Sequence, residues 1–388
     1  MLSRLAQNIA GSSTLEIAAK AKQLKAEGKD VISLSAGEPD FDTPQFIKDA
    51  CIQALLDGKT KYTPTSGEIE LKKAIIQKFE KDNNLSYEAN EIIVSCGAKH
   101  SIFNIILCAV EEGDEVIIPA PYWVSYPEMV KAAGAKPVIA DTFSTNMKLT
   151  PEILLPLINK STKILILNSP SNPTGGVYSL EELKALAKII LKHNITVISD
   201  EIYEHLTYDS DFVSIASISD ELKKKTVVVN GVSKAYSMTG WRIGYAAGNS
   251  DLISAASRLQ SHSTSNPTSF AQYGAIAALS SPLGKNAIKE MAEKFKTRRD
   301  YIYKRICSIP GVQCRKPSGA FYIFPDIREV LRGKTSMEFA KDILEKEYLA
   351  IVPGEGFGAP GYIRFSYAAS LSDIETGMDR LERYIRSS

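Results

Sequence analysis

Residues 227–245 read VVVNGVSKAYSMTGWRIGY. The run of valines has no polar alternation, which marks a strand covered on both faces. The chain then turns through Lys234, a lysine set among small and polar residues with no acidic neighbour in sequence.

The same texture extends outward on both sides. EIIVS is followed by a helical pattern at 98–110, DEVIIPA by YPEMVKAAG, TKILILNS by a helical pattern at 179–193, and ITVISD and RIGYAAG are further strand-like runs. Short apolar strands separated by helix-length segments predict an α/β unit: a mostly parallel sheet between two layers of helices. From Ser281 onward the pattern changes. GKNAIKEMAEKFKTRRDYIYKRI reads as one long charged helix, followed by GAFYIFPDI, a helix near 336–347, AIVPG, YIRFSYA and a final helix. This predicts a smaller α+β unit, completed by the N-terminal segment. The expected division is 46–283 for the large domain, with 1–45 and 284–388 forming the small one.

A chain of 388 residues can bury a sizeable core. Its 46 Lys and Arg against 45 Asp and Glu leave a net charge of +1, so neither nucleic acid nor an anionic membrane is an expected partner. Five cysteines without a C-x-x-C pair read as reduced, buried thiols, and four histidines show no metal-ligand spacing. No apolar run is long enough for a signal peptide or a bilayer span, so the expected location is the cytoplasm.

Two glycine motifs carry no phosphate loop. GFGAPG at 356–361 runs through Pro360 into a strand-like segment instead of opening a helix, and GKT at 58–60 lacks the glycine that a Walker loop requires. SCGAKHSIFNIILCAV at 95–110 is different: a strand ends, Gly97 allows close backbone approach, and a helix opens whose N–H groups suit an anion, or else this is an ordinary strand-to-helix turn. Asp200 ends a strand, as a ligand-facing acid or as a helix N-cap. Asn172, in NSPSNPTGG, leaves a strand through a turn and reads as functional or structural. Each is weak alone, but Gly97, Asn172, Asp200, Tyr203 and Lys234 all fall at strand ends where one crevice would collect them. With Arg242, that crevice holds an amine nucleophile, an anion pocket, a carboxylate, a phenol and an amide. This set fits pyridoxal 5'-phosphate.

Through LSAGEPDFDTP, KYTPTSGEIELKKAI, NSPSNPTGG, SDEIYEHL, SKAYSMTGWRIGY, GAFYIFPD and YIRFSYA the sequence resembles, end to end, the class I pyridoxal-phosphate-dependent aminotransferases. It is most similar to the bacterial aspartate aminotransferase subgroup that includes aspartate/prephenate enzymes. The resemblance implies fold type I, with a seven-stranded, mostly parallel sheet in the large domain, and a homodimer with shared active sites. It implies that Lys234 joins the cofactor aldehyde, Asp200 faces the pyridine nitrogen, and Tyr203 and Asn172 contact the phenolic oxygen. Trp123 would stack on the ring, and Arg242 with the backbone of Gly97 and Ala98 would hold the phosphate, joined by Tyr62 across the dimer interface. Many relatives carry a serine where this chain has Gly231, so Ser233 or other donors would replace it. Arg364 and the Gly37 backbone would bind the substrate α-carboxylate, and Lys99 its distal carboxylate, because no arginine lies between Arg258 and Arg298. Thr14 would close over the substrate.

The implied reaction passes the amino group of aspartate to 2-oxoglutarate, with amino and keto acids as small-molecule partners. Prephenate, aromatic or alanine transamination are alternatives. A non-enzymatic alternative is a cofactor-binding regulator fused to a DNA-binding module. The chain opens on the arm without a basic helical extension, so the enzyme is the expectation.

Overall fold

The computed structural model describes residues 2–11 and 13–387, and for 4, 8 and 13–15 it describes the backbone without the side chains. Seven strands form the central sheet: β1 (Ile92–Ser95), β2 (Glu115–Ala120), β3 (Lys136–Asp141), β4 (Thr162–Asn168), β5 (Thr196–Asp200), β6 (Thr226–Gly231) and β7 (Gly244–Ala247). Their order is β1-β7-β6-β5-β4-β2-β3. Only β7 runs against its neighbours, pairing antiparallel with both β1 and β6. The fold class is therefore the expected one, a mostly parallel sheet with flanking helices.

Successive residues of a strand face opposite sides, and the packing follows that period. Ile164 and Ile166 of β4 pack with Ile102, Ile105 and Ile106 of helix Ala98–Ala109. Leu165 and Leu167 pack on the other side with Leu183, Leu186 and Ile190 of helix Leu180–Ile190. That second helix starts at a reciprocal cap: Ser179 Oγ accepts from Glu182 N at 3.2 Å, while Ser179 N donates to Glu182 Oε2 at 2.7 Å.

Sequence reading missed β3. Its pattern KPVIAD contains one fully buried residue, Ala140, because an edge strand is half solvated and its apolar signal is diluted.

The 26-residue helix Pro282–Cys307 leads to the remaining unit. There Val352–Pro353, Ile363–Ser366 and Tyr322–Ile323 form a three-stranded antiparallel sheet, and Ile32–Ser33 pairs in parallel with Leu349–Ala350. Ile17, Ala21, Leu24 and Leu34 from the N-terminal segment share a core with Phe295, Phe339, Ile363 and Leu381. The cysteines correct one expectation: Cys307 is exposed and the other four are half-buried, so none is fully buried.

Candidate active site

Because six strands run the same way, their carboxyl ends share one edge of the sheet, and the antiparallel β7 begins at that edge. Here β1 hands over to Gly97, Ala98 and Lys99, β2 to Trp123, β4 to Asn172, β5 to Tyr203 and β6 to Ser233 and Lys234, while Arg242 precedes β7. A cavity of about 380 Å3 opens at this edge. Gly37, Ala98, Lys99, Trp123, Asn172, Asp200, Tyr203, Ser233, Lys234, Arg242 and Arg364 all line it. The strand-end reading gathered Asn172, Asp200, Tyr203, Lys234 and Arg242, and the family resemblance added the others; Gly97, expected in the same crevice, stands behind the lining, and Tyr126, Asn168, Thr239 and Tyr322, which also line the cavity, were missed.

Lys234 Nζ donates to the Gly37 carbonyl at 2.6 Å. Burial lowers its pKa to about 8; Arg242 and Arg364 act the same way, while Glu38 and Asp200 oppose them. The sequence shows no acidic neighbour, yet the fold brings two within electrostatic range. Desolvation still wins, because the ammonium loses more hydration than these carboxylates return.

Asp200, 4% exposed, closes β5. It caps no α-helix: its Oδ1 accepts from Ile202 N at 3.3 Å, and its Oδ2 accepts from the Tyr126 hydroxyl at 2.6 Å. Burial pushes its pKa up to about 6, against the pull of Tyr126, the Ile202 N–H and Lys234. Tyr203 and Tyr322 share a hydroxyl–hydroxyl bond of 2.8 Å. Asn168 ties two strand ends together, donating to the Asp200 carbonyl at 3.0 Å and accepting from Asn172 N at 2.8 Å.

The candidate anion pocket combines backbone at Gly97 and Ala98 with the Arg242 side chain. Gly97 has φ +90°, and a Cβ there would stand 2.4 Å from Arg242 Nη2. Arg242 is held by the carbonyls of Thr239 at 2.9 Å and Cys96 at 3.1 Å. Beside it, helix Ala98–Ala109 presents the N–H groups of Ala98 and Lys99 without backbone acceptors, whereas those of His100 and Ser101 donate to the Gly97 carbonyl at 3.0 and 3.3 Å. Gly231 lies outside the cavity lining, paired with Gly244 in the sheet. A Cβ at 231 would meet Gly244 Cα at 3.0 Å and the Ile243 carbonyl at 3.1 Å, so a larger residue here requires β7 to give by a few tenths of an ångström.

Arg364, 2% exposed, donates to Asn172 Oδ1 and to the Ser35 carbonyl, both at 2.9 Å. Its guanidinium stands 4.4 Å from the centre of the Tyr322 ring, and its buried Nε has no partner among the described residues. A buried guanidinium with an unfilled donor is suited to a carboxylate. Lys99 Nζ stands 4.7 Å from the centre of the Trp123 ring, and Trp123 meets Tyr126 edge to face at 5.3 Å. Partial burial and the nearby Arg242 lower the Lys99 pKa.

Tyr62 does not line the cavity and is 91% exposed. Thr14 belongs to helix Ser13–Ala26, but its side chain lies outside the described residues. Among the described residues, no cluster of His, Cys, Asp and Glu suits a metal ion.

The sequence pattern of aminotransferase class I and II matches residues 29–381. The chain belongs to this family. Within it, the chain is 53% identical to an aspartate aminotransferase of Bacillus subtilis (strain 168), over 96% of each chain. It is 48% identical to a probable aspartate/prephenate aminotransferase of Aquifex aeolicus, over 96% of this chain and 95% of the relative. Among solved structures, the aspartate aminotransferase of Rhizobium meliloti superposes with a TM-score of 0.95 at 42% identity, covering 100% of this chain and 99% of the other. An aspartate aminotransferase of Thermus thermophilus with maleate matches at TM-score 0.95 and 40% identity, over 99% of each chain. No helix of the described residues is long and apolar enough to cross a membrane.

Proposed function

We propose that this aminotransferase moves the amino group of L-aspartate to 2-oxoglutarate, giving oxaloacetate and L-glutamate, with pyridoxal 5'-phosphate as cofactor. One observation carries the reading: a buried amine of lowered pKa, a buried carboxylate and an anion pocket of the exposed Arg242 and a helix terminus converge on one cavity, with the buried Arg364 beside them.

The donor set fits the cofactor. Lys234 would bind its aldehyde, Asp200 its ring nitrogen, Tyr203 and Asn172 its phenolic oxygen, Trp123 its ring face. Arg242, Ser233 and the N–H groups at Gly97 and Ala98 would hold its phosphate. When bound, the cofactor supplies an electron-accepting ring that stabilises negative charge at the substrate Cα. The remaining work falls to the protein. Arg364 and Asn172 grip the α-carboxylate, and Gly37 borders the same subsite. Lys99 meets the distal carboxylate, and Thr14 is the arm residue proposed to close over the substrate. Released from its other duties, the Lys234 amine with a pKa of about 8 moves the proton at the substrate Cα.

Homodimer formation with shared sites is part of the proposal. Ile52, Leu55 and Leu56 form one apolar face of helix Gln45–Leu56 at 52%, 43% and 75% exposure, near the exposed Tyr62 in sequence. A partner's covering of this face would bring Tyr62 to the phosphate of the neighbouring site. The proposed location is the cytoplasm.

Prephenate is a second candidate acceptor, because Lys99 offers one cation for any acidic side chain and a relative at 48% identity bears the aspartate/prephenate name. A donor and acceptor panel on purified protein tests the reading, together with borohydride reduction and peptide mapping. Turnover of aspartate with 2-oxoglutarate and a cofactor fixed to the Lys234 peptide are expected. Indifference to aspartate overturns the substrate assignment, and failure to bind the cofactor overturns the chemistry.

A further inference from the structure

A second cavity, of about 450 Å3, lies between the end of helix Ile69–Asn83 and the first turns of helix Pro282–Cys307. None of its lining residues lines the cavity around Lys234. Its charges are unbalanced. Lys78 is consumed by Glu204, each side chain 3% exposed, and also donates to Asn83 Oδ1 at 2.6 Å. His205 lies 3.3 Å from Glu204 and 3.7 Å from Asp82. Lys81, Lys285 and Lys289 also line the cavity, and none makes an ion pair among the described residues. Three cations therefore face one solvent-side carboxylate, Asp82.

The placement of the lysines has a cost. Lys285 and Lys289 repel each other at i,i+4 spacing, and Lys285, at the end of the first turn of helix Pro282–Cys307, also opposes the helix dipole. A second observation points to a ligand. Tyr236 is 6% exposed and lines the cavity, and its hydroxyl, which is not itself fully buried, is left open there with no protein hydrogen-bond partner among the described residues. Burial and the nearby Asp82 and Glu204 raise its pKa, so the hydroxyl stays a donor at neutral pH. Its ring packs beside Gly284, where a Cβ would come within 3.2 Å of it.

We propose that this cavity binds a small organic polyanion, a polycarboxylate or a phosphate ester, with its anionic oxygens between Lys81 and the Lys285–Lys289 pair and one of them accepting from Tyr236. Two elements supply the cations, so the ligand would bridge the helix on the large sheet and the helix that leads to the small unit. The inference does not rest on the reaction proposed above.

The test is calorimetric titration of the cofactor-saturated protein with citrate and with inorganic pyrophosphate at constant ionic strength. The two probes separate the carboxylate and phosphate sources. Saturable binding of at least one is expected, preserved in Arg364→Ala, weakened by about tenfold or more in Lys285→Ala/Lys289→Ala and less strongly in Tyr236→Phe. Basal turnover of the double-lysine variant should match that of the wild type. Binding of neither probe, affinity unchanged in both cavity variants, or binding abolished by Arg364→Ala each overturns the proposal, the last because it places the anion in the catalytic cavity.

Discussion

Substituting Gly97 with Ala tests whether the anion pocket depends on a backbone that only glycine can adopt. The residue sits at φ +90° and ψ 159°, and an added Cβ would meet Arg242 Nη2 at 2.4 Å and Cζ at 2.9 Å. The guanidinium cannot simply slide away, because Thr239 and Cys96 hold it on both nitrogens. Two costs follow. Backbone strain takes about 1–3 kcal/mol from stability. Displacement of Arg242 removes a charge-assisted contact worth about 1.5–3 kcal/mol to a bound phosphate, or about 10- to 100-fold in cofactor affinity. The assay is equilibrium cofactor binding by Gly97→Ala, Arg242→Ala and the double variant, with thermal melts of each apo form to account for the strain. Because both single changes act through the same guanidinium, the double variant should bind little worse than Arg242→Ala. Affinity of Gly97→Ala within about threefold of wild type, or full additivity of the two losses, would refute this account.

Lys99→Ala should lower kcat/KM for aspartate and glutamate by about one to two orders of magnitude, with alanine and phenylalanine far less affected; equal losses would remove Lys99 from the specificity role. Tyr62→Phe should weaken cofactor retention without changing substrate preference, and a fully active monomer by sedimentation would contradict the shared site. Glu201 is fully buried, and burial together with Glu204 raises its pKa to about 8, against the hydroxyls of Ser214 and Ser199 and the charge of Lys78. The folded state therefore holds this proton more tightly than the unfolded chain does, and the stability it contributes is complete below the unfolded pKa of about 4.5 and lost as pH climbs through 8. Glu201→Gln should remove on the order of 3–5 kcal/mol of that pH dependence between pH 5 and 9, read from melting profiles; parallel profiles for the two proteins would exclude it.

Much of the cavity was legible in the sequence for a physical reason. In a mostly parallel sheet the residues at and just past each strand end share one edge, so strand ends at 95, 168, 200 and 231 bring Gly97, Asn172, Asp200, Tyr203 and Lys234 together once the strands are recognised, while Trp123 was supplied by the family resemblance. Local pattern suffices for that, because apolar runs and turn residues are short-range signals. The central strands were readable since both their faces are buried; the edge strand β3 was not, being half in water.

What only the tertiary structure decided is what each side chain meets. Tyr126 lies in helix Ser125–Ala132 and Tyr322 in a short strand, and the sequence pattern singled out neither. They enter the candidate site through partners 74 and 119 residues distant in sequence, Asp200 and Tyr203. Gly231 fits its place through Gly244, across the sheet. The state of Lys234 was likewise out of reach: its flanking sequence holds no acid, the fold supplies Glu38 and Asp200, and burial outweighs both. Desolvation depends on every atom packed around a group, and that sum exists only after the chain has folded.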